Sequence, residues 1–279
     1  MTPPSYDEYM FEVPTTLSPS GVERFTSCPL AFRFASIERL PEPPSVHTTK
    51  GSLVHRALEL AFSRPPSDRT PAAFRTALAQ ARAEFDQLPD LQLLRLTDDE
   101  RAQFDADCTE LVERYLTMED PTGVASIGLE LRLEAPVGSL RLRGVIDRLE
   151  LRDGELVVTD YKTGRAPSVN WEQKSLAGVH FYSFLCSAVF GRRPAAIRLM
   201  YLRTGETIEA TPSERSVRFL TTRTTAVWRA VEQACQRGDF RPRPSPLCGS
   251  CSFQAWCPSF GGDPDRAVHE LSPPALVAT

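Results

Sequence analysis

The chain has almost no lysine. Of its 32 cationic side chains only Lys50, Lys162 and Lys174 are lysines, and the rest are arginines. A lysine here stands where arginine is the default, which points to a position that wants a compact ammonium rather than a planar fork. Long apolar runs are also missing. None approaches the ~18 residues of a membrane-spanning helix, so no membrane partner is expected. The opening "MTPPSYDEYMFEVP" is acidic and has no apolar centre, so it does not read as a secretory leader, and a cytoplasmic location is the expectation. No stretch has the form G-x4-G-K-[ST], so the phosphate-cradling loop of a nucleotide-driven motor is absent. There is no internal repeat. A net charge of −4 argues against a generic nucleic-acid coat, while leaving room for a local basic groove. The seven cysteines are an odd number, which suits metal or core roles better than a disulfide framework.

What is present suits a folded protein of 279 residues, 41% hydrophobic and 24% charged, with enough chain for a full core. Residues 1–17 read as a flexible tail. Ser18 then caps a short helix with Pro19 at its first position. "PEPPS" (41–45) is a loop, and "KGSLVHRALELAF" sets Leu53, Ala57, Leu60 and Ala61 on one helical face with His55 beside it. Thr70-Pro71 opens a helix to about Asp86, and Thr97 with Glu100 forms a capping box for the next. Together these predict a helical insert over 64–120. From "SIGLELRLE" onward the pattern changes to strand alternation, with turns at Pro136–Ser139 and Asp153-Gly154, a three-stranded antiparallel meander. "WEQKSLAGVHFYSFLCSAVFG" reads as a helix ended by Gly191, and "AAIRLMYLRTGETIEAT" as a strand, turn and strand. A long helix stops at Gly238, a proline-rich cysteine segment follows over 241–260, and 261–279 reads as a disordered tail.

The hairpin "GVIDRLELRDGELVVTDYKTG" carries the chemistry. A two-residue Asp-Gly turn sets its register, so that Asp147 opposes Asp160. Lys162 lies two residues on and shares the face of Asp160. Continuing through the preceding turn puts Glu130 opposite Val145, on that same face. Opposed like charges destabilise a sheet. Two carboxylates in apolar strands therefore share a proton or hold a cation, and hard oxygen ligands suit Mg²⁺ or Mn²⁺. A neighbouring ammonium stabilises charge developing on a phosphate. The pattern points to metal-assisted phosphodiester hydrolysis; the competing reading is a solvated sheet face.

At these residues the sequence resembles the PD-(D/E)xK nuclease superfamily, in its RecB-like branch. "GVIDRLE" is similar to the metal-binding aspartate motif, "VTDYKTG" to the D-x-K motif, and "GSLVHRALE" to the branch's histidine motif. The resemblance implies an α/β, restriction-endonuclease-like core of helix, three-stranded antiparallel meander, helix and strand. It places one nuclease domain over 18–260, with the helical insert and a cysteine-clamped terminal region. It implies that His55, Asp147 and Asp160 bind Mg²⁺ or Mn²⁺ and that Lys162 is catalytic. Glu130 on the shared face and Tyr182 on the following helix complete the candidate catalytic set. Gly178 stands where the family often has a glutamine.

"CGSCSFQAWCP" supplies Cys248, Cys251 and Cys257 in a proline- and glycine-rich loop, a spacing that suits a soft metal. Cys28, also followed by proline, is the best fourth ligand. Cys108, Cys186 and Cys235 lie in helical stretches and read as core. One cysteine before the core and three after it is the arrangement of the AddB nuclease domain and of CRISPR-associated adaptation nucleases. That resemblance implies a [4Fe–4S] cluster, with structural Zn²⁺ as the alternative.

The expected partner is DNA, as single strands or duplex ends, in repair or recombination. Any motor, helicase or repair protein acting with the chain is separate. Arg33, Arg39, Arg165, Arg192 and Arg193 are candidate phosphate contacts. Phe32, Phe34, Trp171 and Phe181 are candidate base-stacking residues, with core burial the weightier reading for them. The alternative function is a non-catalytic nucleic-acid-binding or structural module that retains the nuclease fold.

Overall fold

The computed structural model describes residues 10–167 and 177–271. The chain divides into two compact units, where the sequence reading placed one domain over 18–260. The first comprises Met1–Pro43, Pro136–Leu142 and Thr221–Thr279, and the second Pro44–Ala135 and Arg143–Leu220. One boundary, Pro43/Pro44, falls in the "PEPPS" loop, but the other three fall inside two strands and a long helix, where composition gives no sign of a division.

The second unit holds the nuclease-like core. Its helix α3 spans Val46–Phe62 and starts at a capping box, in which the Ser45 hydroxyl accepts from the Thr48 amide and the Thr48 hydroxyl accepts from the Ser45 amide. Helices α4 (Pro71–Phe85), α5 (Pro89–Leu93) and α6 (Asp98–Met118) follow. The caps at Thr70 and at Thr97–Glu100 lie where the sequence puts them. These helices share one core with α3. Leu53, Val54 and Leu58 of α3 pack with Phe74 and Leu78 of α4 and with Phe104 and Tyr115 of α6, together with Tyr161, Met200 and Leu202 from the sheet. The helical insert is therefore part of the foundation under the sheet.

Strands β2 (Ser126–Val137), β3 (Leu140–Arg152) and β4 (Glu155–Lys162) form the expected meander. The first turn is Gly138-Ser139, and the second has positive φ at both Asp153 and Gly154 (52° and 80°), as a type I′ hairpin requires. β3 and β4 pair from Arg152↔Glu155 to Arg148↔Thr159, the register that turn dictates. Helix α7 (Ala177–Phe190) then leads to β5 (Ala196–Tyr201), which runs parallel to β4 from Val157↔Ala196 to Lys162↔Tyr201. β6 (Glu206–Ala210) closes the edge antiparallel to β5.

In the first unit β1 (Thr16–Leu17) pairs in parallel with Arg141 and Leu142 at the start of β3. Helices α1 (Pro19–Ser27) and α2 (Pro29–Phe32) follow, and α2 continues into a π-helical turn, Arg33–Ile37. Helix α8 (Glu214–Arg237) crosses the unit boundary along its length. Short 3₁₀ turns carry the C-terminal cysteines, and α9 (Pro264–Leu271) ends the described chain.

Of the two expected tails, residues 1–9 and 272–279 lie outside the described residues, and the described parts are ordered. Leu17 is buried, the Phe11 amide donates to the Cys235 carbonyl at 3.1 Å, and the Phe11 ring meets Phe240 edge-on at 5.4 Å. Residues 10–17 were expected to be loose because they are polar and proline-containing, but a few apolar anchors and one strand pairing hold them. In the C-terminal segment 264–271 is helical, with Arg33 Nη2 bonded to Asp265 at 3.1 Å and Trp256 Nε1 to Glu270 at 2.7 Å. Among the described residues no helix is long and apolar enough to cross a membrane.

Candidate active site

The hairpin ladder between β3 and β4 is complete up to Arg148↔Thr159. The next residues out are Asp147 and Asp160, the acids that the sequence register sets opposite each other. There a side chain replaces the ladder: the Tyr161 amide donates to Asp147 Oδ2 at 2.6 Å. The Tyr161 carbonyl is also used. It accepts from His55 Nε2, 3.0 Å away on α3, because a carbonyl can only accept. His55 Nδ1 is then turned toward the acids, 3.6 Å from Asp147 Oδ2 and 3.8 Å from Glu130 Oε1. One ligand atom each from His55, Glu130 and Asp147 lies within 4.8 Å of the other two. An imidazole with its far nitrogen tied to a backbone carbonyl has the usual arrangement of a metal-ligating histidine.

Glu130 reaches this group from inside β2 with φ of 43°, a left-handed conformation rare for a residue with a side chain. Such local strain collects at functional sites. Asp160 is held differently. Its Oδ1 accepts from the Tyr182 hydroxyl of α7 at 2.6 Å, and its Oδ2 pairs with Lys162 Nζ at 2.5 Å. Asp147 and Asp160 are 9% and 3% exposed, whereas the Lys162 side chain is 46% exposed, so the group opens to solvent on the lysine side.

The electrostatics are those of crowded, buried carboxylates. Burial, and then the Asp160 carboxylate, hold Asp147 above the ordinary carboxylate range, although His55 and the Tyr161 amide pull the other way. Burial works against a charged His55, yet the Asp147 and Glu130 carboxylates outweigh it and raise its pKa to about 10. Burial and Asp160 push the Tyr182 phenol well up, which keeps it a proton donor to that carboxylate. Oxygen ligands with one imidazole nitrogen, in a negative field, fit a divalent ion such as Mg²⁺ or Mn²⁺.

Residues 16–258 match the PD-(D/E)XK nuclease superfamily. The chain belongs to that superfamily. Two curated relatives are similar along most of their length. They are the gene 69 protein of Mycobacterium phage D29, 23% identical over 87% of this chain and 96% of the relative, and the gene 69 protein of Mycobacterium phage L5, 24% identical with the same coverage. Among solved structures, a "Putative exonuclease" from Eubacterium rectale shares the fold, with a TM-score of 0.55 at 13% identity over 85% of this chain and 87% of that one.

In this PD-(D/E)XK protein the D-x-K segment is Asp160-Tyr161-Lys162 at the end of β4. The structure draws the candidate residues together, with one difference from the sequence reading. The tight three-residue group contains Glu130, while Asp160 stands beside it with both oxygens engaged by Tyr182 and Lys162. Sequence reasoning gave Tyr161 no role, and its part in the site lies in its backbone, which leaves no mark on residue type. Gly178 lies in the first turn of α7. Trp171 and Lys174 fall outside the described residues.

Several candidate DNA contacts are committed elsewhere. Arg33 is buried, bonds Glu38 at 2.7 Å and Asp265 at 3.1 Å, and lies 4.4 Å over the Phe11 ring. Phe32, Phe34 and Phe181 are buried in the core and cannot stack on a base. Arg192 is exposed and pairs with Glu155 at 3.1 Å. Arg39, Arg165 and Arg193 are exposed.

The C-terminal cysteines sit in tight turns of the first unit. The Ser245 amide points at Cys248 Sγ from 3.3 Å, and Gly262 comes so close that a β-carbon there would fall 2.3 Å from the Ala255 carbonyl oxygen. Burial raises the Cys251 thiol pKa, and Cys28, Cys248 and Cys257 add to the rise. The set is chemically suited to a soft metal or cluster. Cys108, Cys186 and Cys235 are fully buried, as expected, and burial pushes each up to about 12.

Proposed function

We propose that the protein is a divalent-metal-dependent deoxyribonuclease acting as an exonuclease on DNA ends or single strands, in repair or recombination. The observation that carries this reading is the convergence of His55, Glu130 and Asp147 within 4.8 Å beside the Asp160–Lys162 pair. His55, Asp147 and Asp160 hold Mg²⁺ or Mn²⁺, with Glu130 as a further oxygen ligand. When bound, the ion supplies Lewis acidity to the phosphodiester and lowers the pKa of the attacking water.

The chain's own residues do the rest. The Tyr161 backbone holds Asp147 and His55 in place, and the Tyr182 hydroxyl fixes Asp160. Lys162, on the open side, presents a compact ammonium to the phosphate oxygens as negative charge builds on them. Exonuclease action and a DNA substrate rest on the RecB-like resemblance, in line with the name of the structural neighbour.

We further propose that Cys28, Cys248, Cys251 and Cys257 hold a [4Fe–4S] cluster, with structural Zn²⁺ as the alternative. The amide aimed at Cys248 in a tight turn and the chemistry of the four thiols support a metal-bearing role. Bound there, the group would clip together segments more than 200 residues apart in sequence, a closure that stabilises the fold.

The test is digestion of labelled single- and double-stranded DNA with Mg²⁺ or Mn²⁺, using linear, end-blocked and circular substrates. Wild type should degrade free ends, and Asp160→Ala and Lys162→Ala should not. Equal degradation by all three would sink the nuclease reading. DNA binding without cleavage by wild type would favour the non-catalytic module.

A further inference from the structure

A buried ion network lies directly behind the candidate active site. Arg148 follows Asp147 in β3, and Tyr161 follows Asp160 in β4. Alternation along a strand therefore sends each ligand to one face and its neighbour to the other. The Arg148 side chain is 0% exposed. Its guanidinium donates to the Tyr161 hydroxyl at 2.8 Å and to Thr159 Oγ1 at 3.2 Å. It pairs with Glu119 at 2.5 Å and with Glu150 at 3.0 Å, and lies 4.6 Å over the Phe62 ring. Arg198 completes the set by bonding Glu119 at 2.8 Å. The two arginines and two glutamates balance in charge.

Such a network is a poor way to gain stability. Well-packed apolar residues of the same volume often do as well or better than buried ion pairs. Its geometry suggests another use. Tyr161 is the residue whose amide holds Asp147 and whose carbonyl holds His55. Its ring is wedged edge-on against Tyr115 at 5.8 Å and against His55 at 6.1 Å, and its hydroxyl is pinned by Arg148. A tilt of the Tyr161 ring would turn its peptide groups, and both ligands would move with them.

We propose that Arg148 and Tyr161 are positioning residues: the guanidinium fixes the Tyr161 ring, and the Tyr161 peptide groups fix Asp147 and His55 for the metal. The inference rests on the metal-nuclease reading for its consequence in catalysis, but the positioning itself is a property of the metal-free protein.

Tyr161→Phe tests it by removing one hydroxyl from an otherwise unchanged core, with Arg148→Lys as a second variant that keeps the charge and loses the fork. Three quantities are measured: Mn²⁺ affinity by calorimetry, the His55 Nε2–H resonance in nitrogen-15-labelled metal-free protein, and the thermal midpoint. Tyr161→Phe should remain folded, shift the His55 resonance, and weaken Mn²⁺ binding by about tenfold or more, the usual scale for a group that orients a ligand. DNA KM at saturating Mn²⁺ should be unchanged. A His55 resonance and Mn²⁺ affinity equal to wild type, with only the thermal midpoint lowered, would overturn the proposal and leave the network a structural one. If wild type itself binds no Mn²⁺, the nuclease reading fails, and the His55 resonance alone decides the positioning.

Discussion

Lys162 and Tyr182 grip the same carboxylate from opposite sides, the ammonium on Asp160 Oδ2 at 2.5 Å and the phenol on Oδ1 at 2.6 Å. Each partner has a different job, and the variants should separate them. Tyr182→Phe removes an orienting hydrogen bond and should lower kcat by about tenfold with little change in DNA KM. Lys162→Ala removes the charge that the proposed function assigns to the phosphate and should cost about a hundredfold or more in kcat. Steady-state kinetics on a labelled single strand checks both, and an unaltered Lys162→Ala enzyme would contradict the role given to the ammonium.

Asp147 is ionised only against the cost of its burial and of the neighbouring Asp160 charge. A carboxyl whose folded pKa is raised weakens the fold once the pH is above its unfolded value, and a bound cation removes that cost. Asp147→Asn keeps an acceptor for the Tyr161 amide without the charge. The metal-free variant should melt no lower than wild type at neutral pH. Wild type should gain thermal stability with Mn²⁺, about 2.7 kcal/mol at a hundredfold excess over Kd. The variant should gain almost none. Scanning calorimetry with and without Mn²⁺ reads both effects.

Glu119 gives the fold a dependence on acid. Burial alone would raise its pKa, but the Arg148 and Arg198 guanidiniums overcome this and hold it down at about 2. A carboxyl depressed in the folded state contributes its full stability above the unfolded value of about 4.3 and loses it as the pH falls toward the folded one. Glu119→Gln leaves two buried cations short of a partner and should cost about 3–5 kcal/mol near pH 7. The difference from wild type in urea unfolding should shrink between about pH 4.3 and pH 2. A constant difference across that window would show that the ion pairs do not carry it.

The cysteine reading predicts colour. Anaerobically purified protein should be brown, with iron and acid-labile sulfide in equal amounts. Cys251→Ser, which removes one of the four proposed ligands, should lose both. Cys186→Ser, which changes a fully buried core thiol, should keep the iron. Zinc in place of iron in the anaerobic wild type would decide for the structural metal.

Short-range rules were enough for much of this architecture. The register expected from the Asp153-Gly154 turn is the one observed from Arg152↔Glu155 to Arg148↔Thr159, and Asp147 and Asp160 are the residues next beyond that ladder. Ser18, Thr70 and Thr97 cap the helices they precede, since a cap depends on the residues within one turn of it. The resemblance to the superfamily followed from three motifs, each legible within seven to nine consecutive residues.

Distant contacts decided the rest. Glu130 joins His55 and Asp147 through a left-handed backbone that no residue type announces. His55 has its orientation from a carbonyl 106 positions away in sequence, and Tyr161 acts through peptide groups that every residue carries. Arg33 and Phe34 have the composition of a DNA-binding surface, yet they are buried against Asp265 and Phe253, partners more than 200 residues later. Charge and aromaticity are visible in a chain, but whether a group meets water or the core depends on what folds over it.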